Sequence, residues 1–275
     1  MAIRLGPNRY GKAEVRLVRA GGSSGIQDLN VSVALSGDLE ATHLTGDNGG
    51  VLPTDTMKNT VYAFAREHGI GSPEEFGLRL ARHFVATQPQ IKSAKITIQG
   101  YEWERLGPHS FQRRGDHTRL TVVTVIGDES QVVAGIEGLV LMNTTDSEFH
   151  GFPRDRYTTL PETTDRILAT EVNARWRGVA DFAAVKQSLV DAFVGTYSYS
   201  LQQTLYAMGS RVLEEHPEVA EIRLALPNKH HYLVDLSPFG LDNPGEVFIA
   251  GDRPYGLIEG TVTRDDTQPA IAEWF

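Results

Sequence analysis

SPEEFGLRLARHFVATQPQIKSAKITIQGYEWE, residues 72–104, changes its hydrophobic period halfway along. Ser72-Pro73-Glu74-Glu75 is a capping box with proline at the first helical position, where a missing N–H breaks no helical bond. Phe76, Leu80 and Phe84 follow four apart, so one apolar face runs along a helix to about Ala86. Beyond it the period becomes two: Ala94, Ile96 and Ile98 alternate with polar residues in a strand between Ile91 and Glu104. A further strand is expected at about 109–125. Upstream, a helix at about 55–67 carries Val61, Phe64 and Ala65 on one face, with Gly69 as its stop. Before it come the Gly-rich loop LTGDNGGVLPTD and two strands, at about 9–19 and 27–38. Val15 and Leu17 alternate with Glu14 and Arg16 until Val18 breaks the pattern; Val31, Val33 and Leu35 alternate in the second strand. GGSSG at 21–25 reads as the flexible turn between them.

The second half repeats this order. Strands are expected at 132–142 and 164–176. Asp181 caps a helix bearing Phe182, Val185, Leu189 and Phe193. Ser200-Leu201-Gln202-Gln203 is a second capping box, opening a helix with Leu201, Leu205, Met208 and Val212 on its apolar face. Strands at about 219–235 and 246–263 close the chain, and DDTQPAIAEWF at 265–275 is compatible with either an ordered segment or a tail. The class is α+β, with one domain over 1–130 and a second over 131–275. Consecutive strands joined by short turns give antiparallel sheets with paired helices on one face. Such sheets have open edges, which assembly with further copies into a barrel would cover.

Composition narrows the function. At 275 residues and 40% hydrophobic, the chain is a globular protein with no apolar run long enough for a membrane span. A net charge of −9 disfavours nonspecific binding to nucleic acid or an anionic membrane. The absence of cysteine excludes disulfides, thiolate nucleophiles and Cys-based metal sites. No HExxH motif, P-loop or strand–helix GxGxxG is present. With no apolar signal core at the N-terminus and no SKL at the end, a cytoplasmic, bacterial protein is the expectation.

Chemistry concentrates in FHGFPRDRYTTLPETTDRILAT, residues 149–170, where Phe149, Phe152 and Tyr157 sit among charged residues and paired threonines. TTLPETTDRILATEV at 158–172, TDTMKNTVY at 54–62, LPNKHHYLVDL at 226–236, YGKAEV at 10–15 and SLQQTLY at 200–206 together resemble the urate oxidase family, in that family's order and over nearly the whole chain. The resemblance implies tandem tunnelling-fold (T-fold) domains, a homotetramer around a β-barrel tunnel, urate and O2 as substrates, and neither cofactor nor metal. It also implies residue roles. Arg166 presents its fork, and Gln202 its amide, to urate, with the backbone of Leu201 assisting. Phe149 stacks on the ring, and Leu160 lines the same pocket. Lys12, Thr54 and His230 form a proton relay; Asn228 holds dioxygen or water; Asp55 braces the site or contacts the ligand by its backbone.

Each residue also has a plainer reading. By strand parity Lys12 shares an exposed face with Glu14 and Arg16. Thr54 with Asp55 is a helix cap, Arg166 a surface ion-pair member, Gln202 solvated, Phe149 a loop-core ring and His230 structural. His231 adjoins His230; position in the NKH motif favours His230, and alternation sets His231 on the opposite face. Two other functions fit the fold class: another T-fold enzyme acting on a purine or pterin, and a non-catalytic purine-binding scaffold.

Overall fold

The computed structural model describes residues 3–20 and 25–274; most of the expected GGSSG turn lies outside them. In chain order the elements are β1 (Tyr10–Arg19), β2 (Gln27–Gly37), α1 (Glu40–Leu44), α2 (Thr54–Glu67), α3 (Pro73–Thr87), β3 (Ile91–Tyr101), β4 (Trp103–Arg105), β5 (Phe111–Arg113), β6 (Thr118–Ile126) and β7 (Glu129–Asn143). There follow β8 (Leu168–Arg177), α4 (Phe182–Gly195), α5 (Leu201–Glu215), β9 (Glu221–Asn228), β10 (His231–Leu233), β11 (Phe248–Ala250) and β12 (Gly256–Thr263). The chain forms two compact units, one of Met1–Gly135, Arg177–Val179 and Gln268–Phe275, the other of Ile136–Trp176 and Ala180–Thr267.

In the first unit the sheet order is β1-β2-β3-β6-β7, and the β1–β2, β2–β3 and β3–β6 pairs are antiparallel. Alternation decides the faces. Val31, Val33, Leu35, Ile96, Ile98 and Val123 point to the side covered by Met57 and Val61 of α2 and by Phe76, Leu80 and Phe84 of α3. Burying each such side chain contributes about 1.5–3 kcal/mol. The capping box of α3 is fully made: Ser72 Oγ accepts from the Glu75 N–H, and the Glu75 carboxylate accepts from the Ser72 N–H. The strand expected at 109–125 is divided by a short β4–β5 hairpin, and the stretch ahead of α2 holds one turn of helix, α1. The C-terminal segment is ordered. Trp274, 2% exposed, packs on Leu120, Val122 and Val133, while the Gln131 amide bonds the backbone of Ile271 and Ala272.

In the second unit the order is β7-β8-β9-β12, with β9 and β12 antiparallel. Trp176, Val185, Leu189, Phe193, Met208, Val212, Ile222, Leu224 and Leu226 are all buried. Asp181 accepts from the Ala184 N–H and caps α4. At α5, Ser200 Oγ accepts from the Gln203 N–H as expected. The Gln203 side chain, however, reaches one residue further back, to the Tyr199 N–H at 2.8 Å, so the box is open by one position. The strand expected from 164 begins only at Leu168. Thr163 and Asp165 bond each other, with Thr163 Oγ1 donating to the Asp165 carbonyl at 2.6 Å, and this local turn competes with the ladder. Arg166 is thereby left outside the strand.

Candidate active site

The first unit supplies Lys12, Thr54 and Asp55. The face of Lys12 departs from the parity expectation. Lys12 pairs with Val33, but the next aligned pair is Val15 with Val31, so β1 carries one extra residue, a β-bulge. Glu14 absorbs it at a φ of 55°, and its N–H is donated to Ser32 Oγ at 3.0 Å. Directly paired residues share a face, so Lys12 lies on the helix-covered side with Val33 and not with Glu14 and Arg16. There its charge lowers the pKa of Asp55, whose carboxylate is held below its usual range chiefly by the Lys58 hydrogen bond at 2.5 Å. Among the described residues the Lys12 amine has no ion-pair partner of its own. Thr54 is the first residue of α2, after Pro53, and its hydroxyl caps nothing, contrary to the helix-cap reading.

The second unit supplies Phe149, Arg166, Leu201, Gln202, Asn228 and His230. Phe149 is anchored by backbone bonds in both directions with Thr163. Its ring stacks on Phe152, with centroids 5.0 Å apart and planes 16° from parallel, so one of its faces is covered. The Arg166 guanidinium lies 5.2 Å from the same Phe149 centroid. Arg166 is partly buried, and burial alone lowers its pKa; among the described residues no carboxylate balances it. Its Nε donates to Ser147 Oγ at 3.3 Å, and among the described residues the two terminal amines have no acceptor.

Burial lowers the His230 pKa first, then the Arg166 charge, then that of His231. His230 and Arg166 are therefore close enough to act on each other. The His231 ring instead contacts the Lys229 carbonyl at 3.1 Å. Between β9 and β10 the Lys229 N–H donates to the Ala169 carbonyl of β8 at 2.8 Å and the Lys229 amine pairs with Glu171 at 3.1 Å, which ties the segment between Asn228 and His230 to β8. The Asn228 amide is partly buried and, among the described residues, unpartnered. At the start of α5, Leu201 is buried and Gln202 exposed, with its amide free at a helix N-terminus. Leu160 is 53% exposed. Sequence reading passed over Ser147, Ser198 and Thr204, all fully buried beside this group; small hydroxyls in loops carry no periodic signal. Among the described residues no cluster of three or more His, Asp or Glu is placed to hold a metal ion, and no helix is long and apolar enough to cross a membrane.

Tandem antiparallel sheets with helix pairs define a tandem T-fold protein. Comparison with known proteins agrees. The Uricase family model matches residues 8–124 and 132–259. The chain is 52% identical to the uricase of Arthrobacter globiformis over 99% of this chain and 94% of that one. It is 39% identical to the uricase of Dictyostelium discoideum, over 95% of this chain and 98% of the relative. The crystal structure of the Arthrobacter globiformis uricase superposes with a TM-score of 0.94 at 51% identity, each chain covered to 98%. A uricase from Bacillus fastidious has the same fold, with a TM-score of 0.85 at 22% identity, covering 100% of this chain and 99% of the other. The chain belongs to the uricase family.

Proposed function

We propose that the chain is a urate oxidase that converts urate, O2 and water to 5-hydroxyisourate and hydrogen peroxide without a cofactor. The observation that supports this most is Arg166, a partly buried cation with no carboxylate partner and two free terminal amines next to the Phe149 ring. Burying a lone charge is costly, and an anionic ligand offsets that cost. A planar fork suits the edge of a planar anion. Gln202 adds a donor and an acceptor on the neighbouring edge, with the Leu201 backbone beside it, and Phe149 supplies the aromatic contact to the ligand's ring.

The electrons come from urate itself. Two electrons pass from the urate anion to O2, which takes up two protons to leave as peroxide; water adds its hydroxyl to the oxidised ring. The protein's part is to remove protons and hold geometry. Lys12, Thr54 and His230 form the proton relay. Lys12, on the helix-covered side of β1, exchanges the proton, and the Thr54 hydroxyl, which makes no cap bond, is free to pass it on. Asn228 holds O2 and then water above the ring plane, and Asp55 keeps Lys58 and Asn59 ordered at the rim.

Lys12, Thr54 and Asp55 come from one unit and the remaining residues from the other. In the proposed assembly, a cytoplasmic homotetramer, each site joins the first unit of one chain to the second unit of a neighbour. The test is to mix protein, urate and air with a chelator, and to follow urate absorbance, O2 and peroxide together. Equal consumption of urate and O2 with matching peroxide is expected. Urate left intact by folded protein would overturn the reading.

A further inference from the structure

A run of buried hydroxyls ties Arg166 to the start of α5. Ser147 Oγ accepts the Arg166 Nε–H at 3.3 Å. The Ser147 backbone lies in a parallel bridge against Ser198, closed by the Glu148 N–H donating to the Ser198 carbonyl at 2.8 Å and the Ser198 N–H donating to the Asp146 carbonyl at 3.0 Å. Thr204 Oγ1 in turn donates to Ser198 Oγ at 2.8 Å, and Ser198 Oγ donates to the Ser200 carbonyl at 3.2 Å. Ser200 is the N-cap of the helix that carries Leu201 and Gln202. Ser147, Ser198 and Thr204 are each 0% exposed. Buried hydroxyls are retained where their bonds are satisfied, and a satisfied buried network is rigid.

We infer that Ser147, Ser198 and Thr204 are positioning residues that hold the Arg166 fork at a fixed distance and angle from Gln202. The inference rests on the substrate-binding roles proposed above for those two residues. The chemistry is specific. A guanidinium can meet a carboxylate-like edge side-on, through Nε and one terminal nitrogen, or end-on, through both terminal nitrogens. Ser147 occupies Nε, so only the end-on mode remains. The strut through Ser198 and Thr204 then sets how wide a ligand edge fits between the two terminal amines and the Gln202 amide. Ser147 and its partners touch Arg166 and the helix cap, not the ligand.

Three variants test this: Ser147→Ala, Thr204→Val and Ser147→Ala placed in an Arg166→Lys background. For Ser147→Ala, KM for urate is expected to rise roughly tenfold, the loss of one bond to a charged donor, with kcat changed far less and Tm unaltered. Thr204→Val keeps the bond to Arg166 and removes the hydroxyl's links to Ser198 Oγ and to the Ser200 carbonyl, so a smaller KM rise is expected. Lysine has no Nε fork. In the Arg166→Lys background Ser147→Ala should therefore leave kcat/KM unchanged, which a purely structural role would not predict. The inference is overturned if Ser147→Ala leaves KM unmoved, if KM, kcat and Tm all deteriorate together, or if its effect is as large in the Arg166→Lys background as in the wild type. Failure of the urate reading shows separately, as a wild-type protein that neither binds nor oxidises urate.

Discussion

His230 titrates in the field of the Arg166 charge. A partly buried imidazole beside a fixed guanidinium holds its proton less tightly than a free one, and the His230 pKa is lowered by burial first and by Arg166 second. The unfolded chain binds this proton near the ordinary value of about 6.5. His230 therefore contributes no penalty above that pH, and stability is lost as pH falls from there through the lower folded value, because the unfolded chain takes up the proton first. A neutral His230 is also the form that accepts a proton in the proposed relay, so urate turnover should persist below the pH at which a free imidazole charges. Arg166→Gln separates the causes: burial stays and the charge goes. The His230 resonance, followed by NMR in histidine-labelled protein, is expected to titrate at a higher pH in that variant than in the wild type. An unmoved titration would show that Arg166 does not reach His230. The same variant should lower kcat/KM for urate by about two orders of magnitude, since both fork bonds to an anion are lost.

Helices approach the sheets most closely at glycines. In α5 a Cβ on Gly209 would meet Val262 Cγ2 at 2.5 Å and Val262 Cβ at 2.9 Å; in α3 a Cβ on Gly77 would meet Val123 Cγ2 at 2.9 Å. Alanine ordinarily improves a helix by about 1 kcal/mol over glycine, but valine has a stiff χ1 and cannot swing aside. Overpacking should win in both units. Gly209→Ala is expected to destabilise by about 1–3 kcal/mol and Gly77→Ala by less, measured by urea unfolding. A stabilised Gly209→Ala would mean that the helix lifts off its sheet freely. These contacts were not visible beforehand, although the helices bearing them were. The capping signals at Ser72, Asp181 and Ser200 and the apolar spacing behind each placed all three helices, because caps and faces are local properties. The face of Lys12 was misread for the opposite reason. A bulge at Ala13-Glu14 reverses parity, yet neither residue is a glycine or asparagine that would advertise a positive φ. Arg166 was legible as chemistry and its neighbours were not. The hydroxyl of Ser147 meets it, and a backbone bridge ties Ser147 to Ser198 far along the chain; no periodicity encodes that.

β1 and β12 end their sheets and are each paired on one side only. Long unpaired edges invite association, and stable proteins cover them. The proposed tetramer does so, and it gives the division of candidate residues a function, since neither unit alone carries both Lys12, the proposed relay lysine, and Arg166, the proposed substrate arginine. Complementation tests that arrangement directly. Lys12→Met and Arg166→Gln should each be inactive or nearly so by themselves, one lacking the proposed base and the other the proposed anion fork. When the two are co-expressed with different tags, a site made of two chains can draw Lys12 from the Arg166→Gln chain and Arg166 from the Lys12→Met chain. Random mixing makes about half of the contacting pairs mixed, and one of the two sites in each mixed pair is intact. Oligomers carrying both tags should therefore recover about a quarter of wild-type turnover per chain. If every site is built within one chain, each keeps its own lesion however the chains are mixed, and doubly tagged oligomers remain inactive. Recovery would also require that the edges exchange between variants, so the same experiment ties the open strands to the chemistry.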